Sequence, residues 1–326
     1  MKFSHPQLAH DVHHCPHIVN IDKTRFDCDR FAIRLTIESM SIHTLNTQDP
    51  ALPLGKEVSY PDQYDPDLLH PISRAPGRES LSEKMRSSTG SSHLPFYGWD
   101  LWRGYELSWL DNRGLPKVGI LKVWVPFDSP NIIESKSFKL YLNSLNNLRQ
   151  PSVQALQTLI EADLCARIGA TSRVYIVTPD QFYLEHIEEP GDVCLDDQPI
   201  DIDCYRPNAD LLRADPNATV SESVFSRLLK SNCPVTGQPD WASVHIKYTG
   251  MAIDHASLLR YIVSYRGHEG FHEQCVEQIF CDIMQRCKPQ ILSVHARYTR
   301  RGGMDINPWR ATPGVCEPDF QRSAQQ

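Results

Sequence analysis

The chain has 326 residues, 40% hydrophobic and 22% charged, with a formal net charge of −7, values of a soluble globular protein of one large or two ordinary domains. The acidic balance disfavours a dedicated nucleic-acid binder, which needs concentrated Lys and Arg against phosphate. No apolar run is long enough to span a bilayer, no secretory signal is read at the start, and ten cysteines without a C-x-x-C pair are expected to be reduced, so the expected compartment is the cytoplasm.

Residues 1 to about 95 read as an irregular N-terminal extension and linker. His5, His10, His13, His14 and His17 crowd around Cys15. Nothing in their spacing fixes a ligand geometry, so they read as a polar tail, and no metal site is expected. Arg30 to His43 mixes β-branched and polar residues and suits a strand or short helix. Pro50, Pro53, Pro61, Pro66, Pro71 and Pro76, then the Ser- and Gly-rich Ser87 to Ser92, read as linker or wrapping loop rather than core.

From Tyr97 the pattern sharpens. Trp99 to Leu110 is strand-like, Asp111-Asn112-Arg113-Gly114 is a turn, and Pro116 to Phe127 is a second strand, which together make a hairpin. Ile133 to Ser144 follows; at its plainest, Lys136 and Lys139 are a solvated strand face. Val153, Leu156, Leu159, Ile160, Leu164 and Ile168 recur at helical spacing behind Pro151. Arg173 to Val177 is again a strand.

The second half repeats the first at an offset of 120 residues: Ser137, Tyr141 and Ser144 match Ser257, Tyr261 and Ser264. A helix beginning near Phe271 answers the one near Pro151, and Val294 to Arg297 answers Val174 to Val177. Two copies of one supersecondary unit follow, each a hairpin, a helical part and a hairpin. The fold class is α+β, two tandem modules over 96–199 and 200–326, each an antiparallel sheet with helices on one face. A ligand site between the modules is the natural expectation.

The copies differ in chemistry. The first carries Glu134-Ser135-Lys136-Ser137-Phe138-Lys139-Leu140-Tyr141; the second lacks both lysines but holds Cys233, Asp240, His272 and Glu273. In Ser231 to Trp241, Pro234 and Pro239 stiffen the backbone and Gly237 permits a bend, so Cys233 and the acid seven positions later share a rigid loop. A thiol beside an acid suits covalent chemistry on an electrophilic carbon. On spacing alone, a packed cysteine with a turn-capping Asp is the commoner outcome. No G-x-G-x-x-G follows a strand, so a Rossmann site is absent.

Four motifs in order resemble the longer, two-module form of the NADPH-dependent 7-cyano-7-deazaguanine reductases, the nitrile reductases of queuosine biosynthesis. They are Glu134 to Tyr141, the Cys-Pro-Val-Thr-Gly-Gln-Pro-Asp loop, Phe271 to Cys275, and Tyr298 to Arg310. The resemblance implies the tunnelling fold for both modules. It implies that Cys233 attacks the nitrile carbon to give a covalent thioimide and that Asp240 supplies the proton to the imide nitrogen. Two hydrides from NADPH then give the amine. Glu134 and Glu273 would hold the guanine-like edge, with Ile133, Ser135 and His272 completing the substrate site. Ser135, Lys136, Arg301 and Gly302 would take the cofactor. The partners implied are a small deazapurine nitrile and a second copy in a homodimer, with no direct nucleic acid and no membrane. Two alternatives stand beside this: a metal-dependent cyclohydrolase or pterin-type enzyme of the same fold, which would need a Cys/His metal set in its pocket, and a non-catalytic purine-binding module, which has no use for Cys233 with Asp240.

Overall fold

The computed structural model describes residues 60–89, 94–188 and 191–326. The histidine group around Cys15 and the stretch Arg30 to His43 lie outside the described residues. In chain order the elements are β1 (Pro71–Ser73), α1 (Ala75–Thr89), β2 (Tyr97–Leu110), β3 (Pro116–Pro126) and β4 (Asn131–Ile133). Then come α2 (Ser135–Ser144), α3 (Val153–Ile168), β5 (Arg173–Val177) and β6 (Val193–Cys194). The second half holds β7 (Ala214–Asn232), β8 (Pro239–Ile253), α4 (His255–Ser264), α5 (His272–Cys287), β9 (Ile291–Tyr298) and β10 (Met304–Ala311).

The internal repeat is real at the level of elements. Helix α2 is capped by Glu134, whose carboxylate accepts from the Lys136 and Ser137 N–H groups. Helix α4, its counterpart, is capped in the same way by Asp254, which accepts from Ser257 N–H. These caps satisfy donors the first turn leaves orphaned. Helix α3 starts on Ser152, whose hydroxyl accepts from Ala155 N–H, and stops at Gly169, where φ of 72° suits glycine. The apolar spacing read from the sequence is the buried face: Leu156, Ile160, Leu164 and Ile168 on α3, and Val276, Ile279 and Phe280 on α5.

Eight strands join in the order β5-β3-β2-β10-β9-β8-β7-β6. The register puts the helices of both repeats on one face. Met304 and Ile306 on β10 pack with Phe138 of α2 and Ile160 of α3. Arg310, on that same face of β10, is paired with Val294, which packs with Phe280 of α5. The two repeats meet where β10 pairs antiparallel with β2 from Met304↔Gly104 to Ala311↔Tyr97. Among the described residues no helix is long and apolar enough to cross a membrane.

Three expectations need correcting. The stretch read as linker contains α1, and Leu69 and Leu81 are buried at 1% and 2% exposure. Pro76 is compatible with helix because it falls in the first turn, where its missing N–H costs no bond. Gly77 lets α1 approach α5 closely: a Cβ there would lie 2.3 Å from Gln274 Nε2. Second, Lys136 and Lys139 lie on helix α2, not on a strand face. Third, the first repeat does not close with a hairpin. Pro179 follows β5, and β6 pairs parallel with β7 instead.

Candidate active site

The Cys loop is shorter and better anchored than its composition suggests. Ser231 and Asn232 end β7, and Pro239, Asp240 and Trp241 begin β8, with Ser231↔Asp240 in register. Only Cys233 to Gln238 turns freely of the ladder, and it closes on itself. Cys233 N–H donates to Gln238 O at 2.8 Å and Gly237 N–H to Cys233 O at 2.9 Å, with Gly237 at φ of 66°. Asn232 ties this loop to the start of α5: its N–H donates to His268 O and its O accepts from Gly270 N–H. His272 and Glu273 are therefore held at a fixed offset from Cys233.

Both repeats line one cavity. The first contributes Ile133, Glu134, Ser135 and Lys139; the second contributes Cys233, Asp240, His272, Glu273 and Arg301. Of the expected residues, Lys136 and Gly302 are outside the lining, though Gly302 adjoins it. Lys139, Thr299 and Asp305 line the cavity and were missed. The signal for Lys139 was in the motif. Only helical spacing, which sets it four residues on from Ser135 of the lining, would have turned it inward.

The charges are ordered. Asp240 is 4% exposed. Its Oδ1 accepts from Arg301 Nη1, and its Oδ2 lies 3.4 Å from His272 Nε2. Burial pushes the Asp240 carboxyl up, but His272 and Arg301 outweigh that and hold it below the ordinary carboxylate value. Glu273 behaves oppositely. Burial first, then the charge of Asp100, pushes it up, and its Oε1 is buried with no hydrogen-bond partner. A buried acceptor left empty in a cavity wall is a place for a ligand's N–H donors.

The two cysteines near the site differ. Cys233 is half-buried in the cavity wall. Cys275 is fully buried, and burial pushes its thiol up to about 12, which makes it a poor nucleophile. At the opposite wall, burial and the neighbouring Arg301 push the Lys139 ammonium down. Gly302, at φ of 57°, leaves room beside it: a Cβ there would sit 3.1 Å from Lys139 Nζ. Two crowded cations beside bare backbone fit a phosphate group, which suits a phosphorylated cofactor such as NADPH. Among the described residues, no group of three or more His, Cys, Asp or Glu side chains could hold a metal.

Residues 60–176 match a family model described as nitrile reductase, 7-cyano-7-deazaguanine-reductase N-term, and residues 239–314 match one described as QueF-like protein. The NADPH-dependent 7-cyano-7-deazaguanine reductase of Bordetella pertussis is 52% identical over 274 residues, covering 84% of this chain and 98% of that protein. The protein of that name from Stenotrophomonas maltophilia is 54% identical over 266 residues, 81% of this chain and 94% of its own. The one from Chromobacterium violaceum is 50% identical over 287 residues, 88% of this chain and all of its own.

Proposed function

The chain belongs to the family of NADPH-dependent 7-cyano-7-deazaguanine reductases, and from that premise we propose how its own residues carry the reaction. The reaction is reduction of the nitrile of 7-cyano-7-deazaguanine to the aminomethyl group of 7-aminomethyl-7-deazaguanine, a four-electron step of tRNA queuosine biosynthesis. One observation supports the reading above others: a single cavity holds the half-buried Cys233 with Asp240 and the unpartnered, buried acceptor of Glu273.

In this reading Glu134 and Glu273 accept from the N–H donors of the guanine-like edge, with Ile133 and Ser135 against the ring. Both Glu134 oxygens already cap α2, which locks its position, and each keeps a lone pair for the base. The Cys233 sulfur bonds to the nitrile carbon while one C–N π bond breaks. The thiol proton moves to the nitrile nitrogen. Asp240, ionised in the free site, is the carrier: it first takes the proton from the thiol and then delivers it to the nitrogen. His272 stands beside it to hold the carboxylate and to relay a proton to it. Bound NADPH supplies the hydrides. Ser135, Lys136, Arg301 and Gly302, with Lys139 added from the cavity wall, would hold it. Collapse of the once-reduced adduct breaks the C–S bond, returns Cys233 as thiol and leaves an imine, which the second hydride and a proton would take to the amine.

The two modules, 96–199 and 200–326, divide this labour, the first giving the lysine motif and the second the nucleophile. The assembly is a homodimer acting on the free base in the cytoplasm, without nucleic acid or membrane. The edge position of β5 and the exposed Tyr175 on it support a partner there. The test of the whole reading is the mass of the protein incubated with the nitrile alone. A gain equal to one nitrile, mapped to Cys233, is the expected result, together with NADPH consumption only after the nitrile is added. An unchanged mass with full NADPH turnover would reject the covalent route.

A further inference from the structure

His272 is the first residue of α5, and nothing at its Nδ1 holds it: that nitrogen is buried without a hydrogen-bond partner. The contact of Nε2 with Asp240, at 3.4 Å, fixes one atom but leaves the ring free to turn about it. What fixes the plane is Tyr298. Its ring lies parallel to the imidazole, centroids 3.7 Å apart and planes 8° apart. Tyr298 is itself clamped. It is 1% exposed at the end of β9. Its N–H donates to Asn307 Oδ1 at 3.2 Å and its O accepts from Gln326 Nε2 at 3.2 Å. The Gln326 amide also donates to Asn307 Oδ1 at 2.7 Å, which closes the clamp. The phenol end lies with Ser231 and Cys275, behind the strand pair that carries Asp240.

We propose that Tyr298 is a positioning residue: its ring face sets the plane of His272, so that Nε2 stays on Asp240. The geometry needs the ring and not the hydroxyl. A flat aromatic surface gives contact area along the whole imidazole, whereas an aliphatic chain of similar size does not. Misplacing a proton-handling group costs rate rather than binding, because the base is held elsewhere, by Glu134 and Glu273. This inference rests on the reading of His272 and Asp240 as part of the reaction site.

The experiment uses the full chain. In the ligand-free protein, the carbon-bound ring protons of His272 should be shifted upfield by the Tyr298 ring current. Ordinary imidazole positions in the unmodified protein would overturn the stack without any variant. Tyr298→Phe should keep the upfield shift and form the Cys233 adduct within about twofold of the wild-type rate, while Tyr298→Leu should lose the shift and form the adduct about ten- to a hundredfold more slowly at near-normal affinity for the base. A Leu variant as fast as wild type, or a Phe variant as slow as the Leu one, overturns the proposal. Should the Leu variant not fold, the wild-type spectrum and the Phe rate still decide. If the wild-type protein formed no adduct, the reductase reading would fail on the mass while the stack stood or fell on the spectrum.

Discussion

Arg310 on β10 donates through Nη2 to Glu277 on α5 at 2.7 Å, and neither side chain is more than 2% exposed. Glu277 lies one helical turn beyond Glu273. Arg310 reaches Asp100 of β2 at 2.7 Å as well, and Arg78 of α1 donates to Glu277. This one cluster joins α1, α5 and the two strands at the junction of the repeats. Its members also charge the wall behind Glu273.

Removing one partner from such a cluster leaves a buried charge uncompensated. Arg310→Met should therefore cost about 3–5 kcal/mol of stability, read from urea unfolding. Its pH signature has a definite sign. Burial pushes the Asp100 and Glu277 carboxyls up, but the arginines outweigh it and hold both below their ordinary values. Their contribution is present above the ordinary carboxylate range and is lost as pH falls through the folded values. In Arg310→Met the acid loss should begin at higher pH. Equal midpoints for variant and wild type across the acid range would remove the cluster from the account of stability.

Cys233→Ala should abolish the covalent adduct and turnover while the base still binds. Cys233→Ser should fail too, since an alkoxide is far harder to form than a thiolate near neutral pH. Mass spectrometry and binding calorimetry on the same samples separate the two effects. Reduction of the nitrile by the Ala variant at a comparable rate would end the mechanism.

Asp240→Asn removes the proton carrier but keeps the shape. Adduct formation should slow, and turnover should fall by about 10²–10⁴. Because His272 and Arg301 hold the carboxyl down, wild-type adduct formation should lose its Asp240-dependent limb only at a pH below the ordinary carboxylate value of about 3.9, as far as the fold survives. A variant within a few-fold of wild type would leave the proton to another group.

Lys136→Ala should raise the Michaelis constant for NADPH with little change in turnover. Lys139→Ala should do so more strongly, because Lys139 lines the cavity and Lys136 does not. Gly302→Ala should act on the same constant, since its Cβ would press on Lys139 Nζ in a backbone region that disfavours side chains. Unchanged NADPH dependence in Lys136→Ala would remove that residue from the cofactor site.

A homodimer is expected by light scattering. Mixing Cys233→Ala subunits with Lys136→Ala, Arg301→Ala subunits under exchange conditions should restore activity if cofactor and nucleophile can come from different chains. A stable, active monomer of 37.2 kDa would remove the assembly from the proposal.

Parts of this were legible in the sequence for physical reasons. The paired Ser and Tyr positions repeat because the same helix is built twice, although its caps, Glu134 and Asp254, went unread. The Cys loop announced itself through Pro234, Gly237 and Pro239, whose backbone restrictions are local. What was lost depends on the third dimension. Helix α1 has a mean polarity like that of a linker, and Leu69 and Leu81 matter only once the cores exist. Lys139 faces inward only if its segment is helical, and short mixed segments do not declare their period. Tyr298 read only as the first residue of the tail motif; its role depends on a histidine 26 positions earlier that only the sheet brings against it.

The β10–β2 ladder has a mechanical consequence. Its paired positions run without a break from Gly104 to Tyr97, so the two repeats share one continuous ladder across their seam. Two halves welded in this way cannot part like jaws to admit a ligand. Any yielding of the wall is therefore local, and the stretch outside the ladder that carries the nucleophile is Cys233 to Gln238. Tightening that turn with a crosslink between the flanking, paired positions Asn232 and Pro239 would slow traffic through the site without touching Cys233 or the acceptors that hold the base.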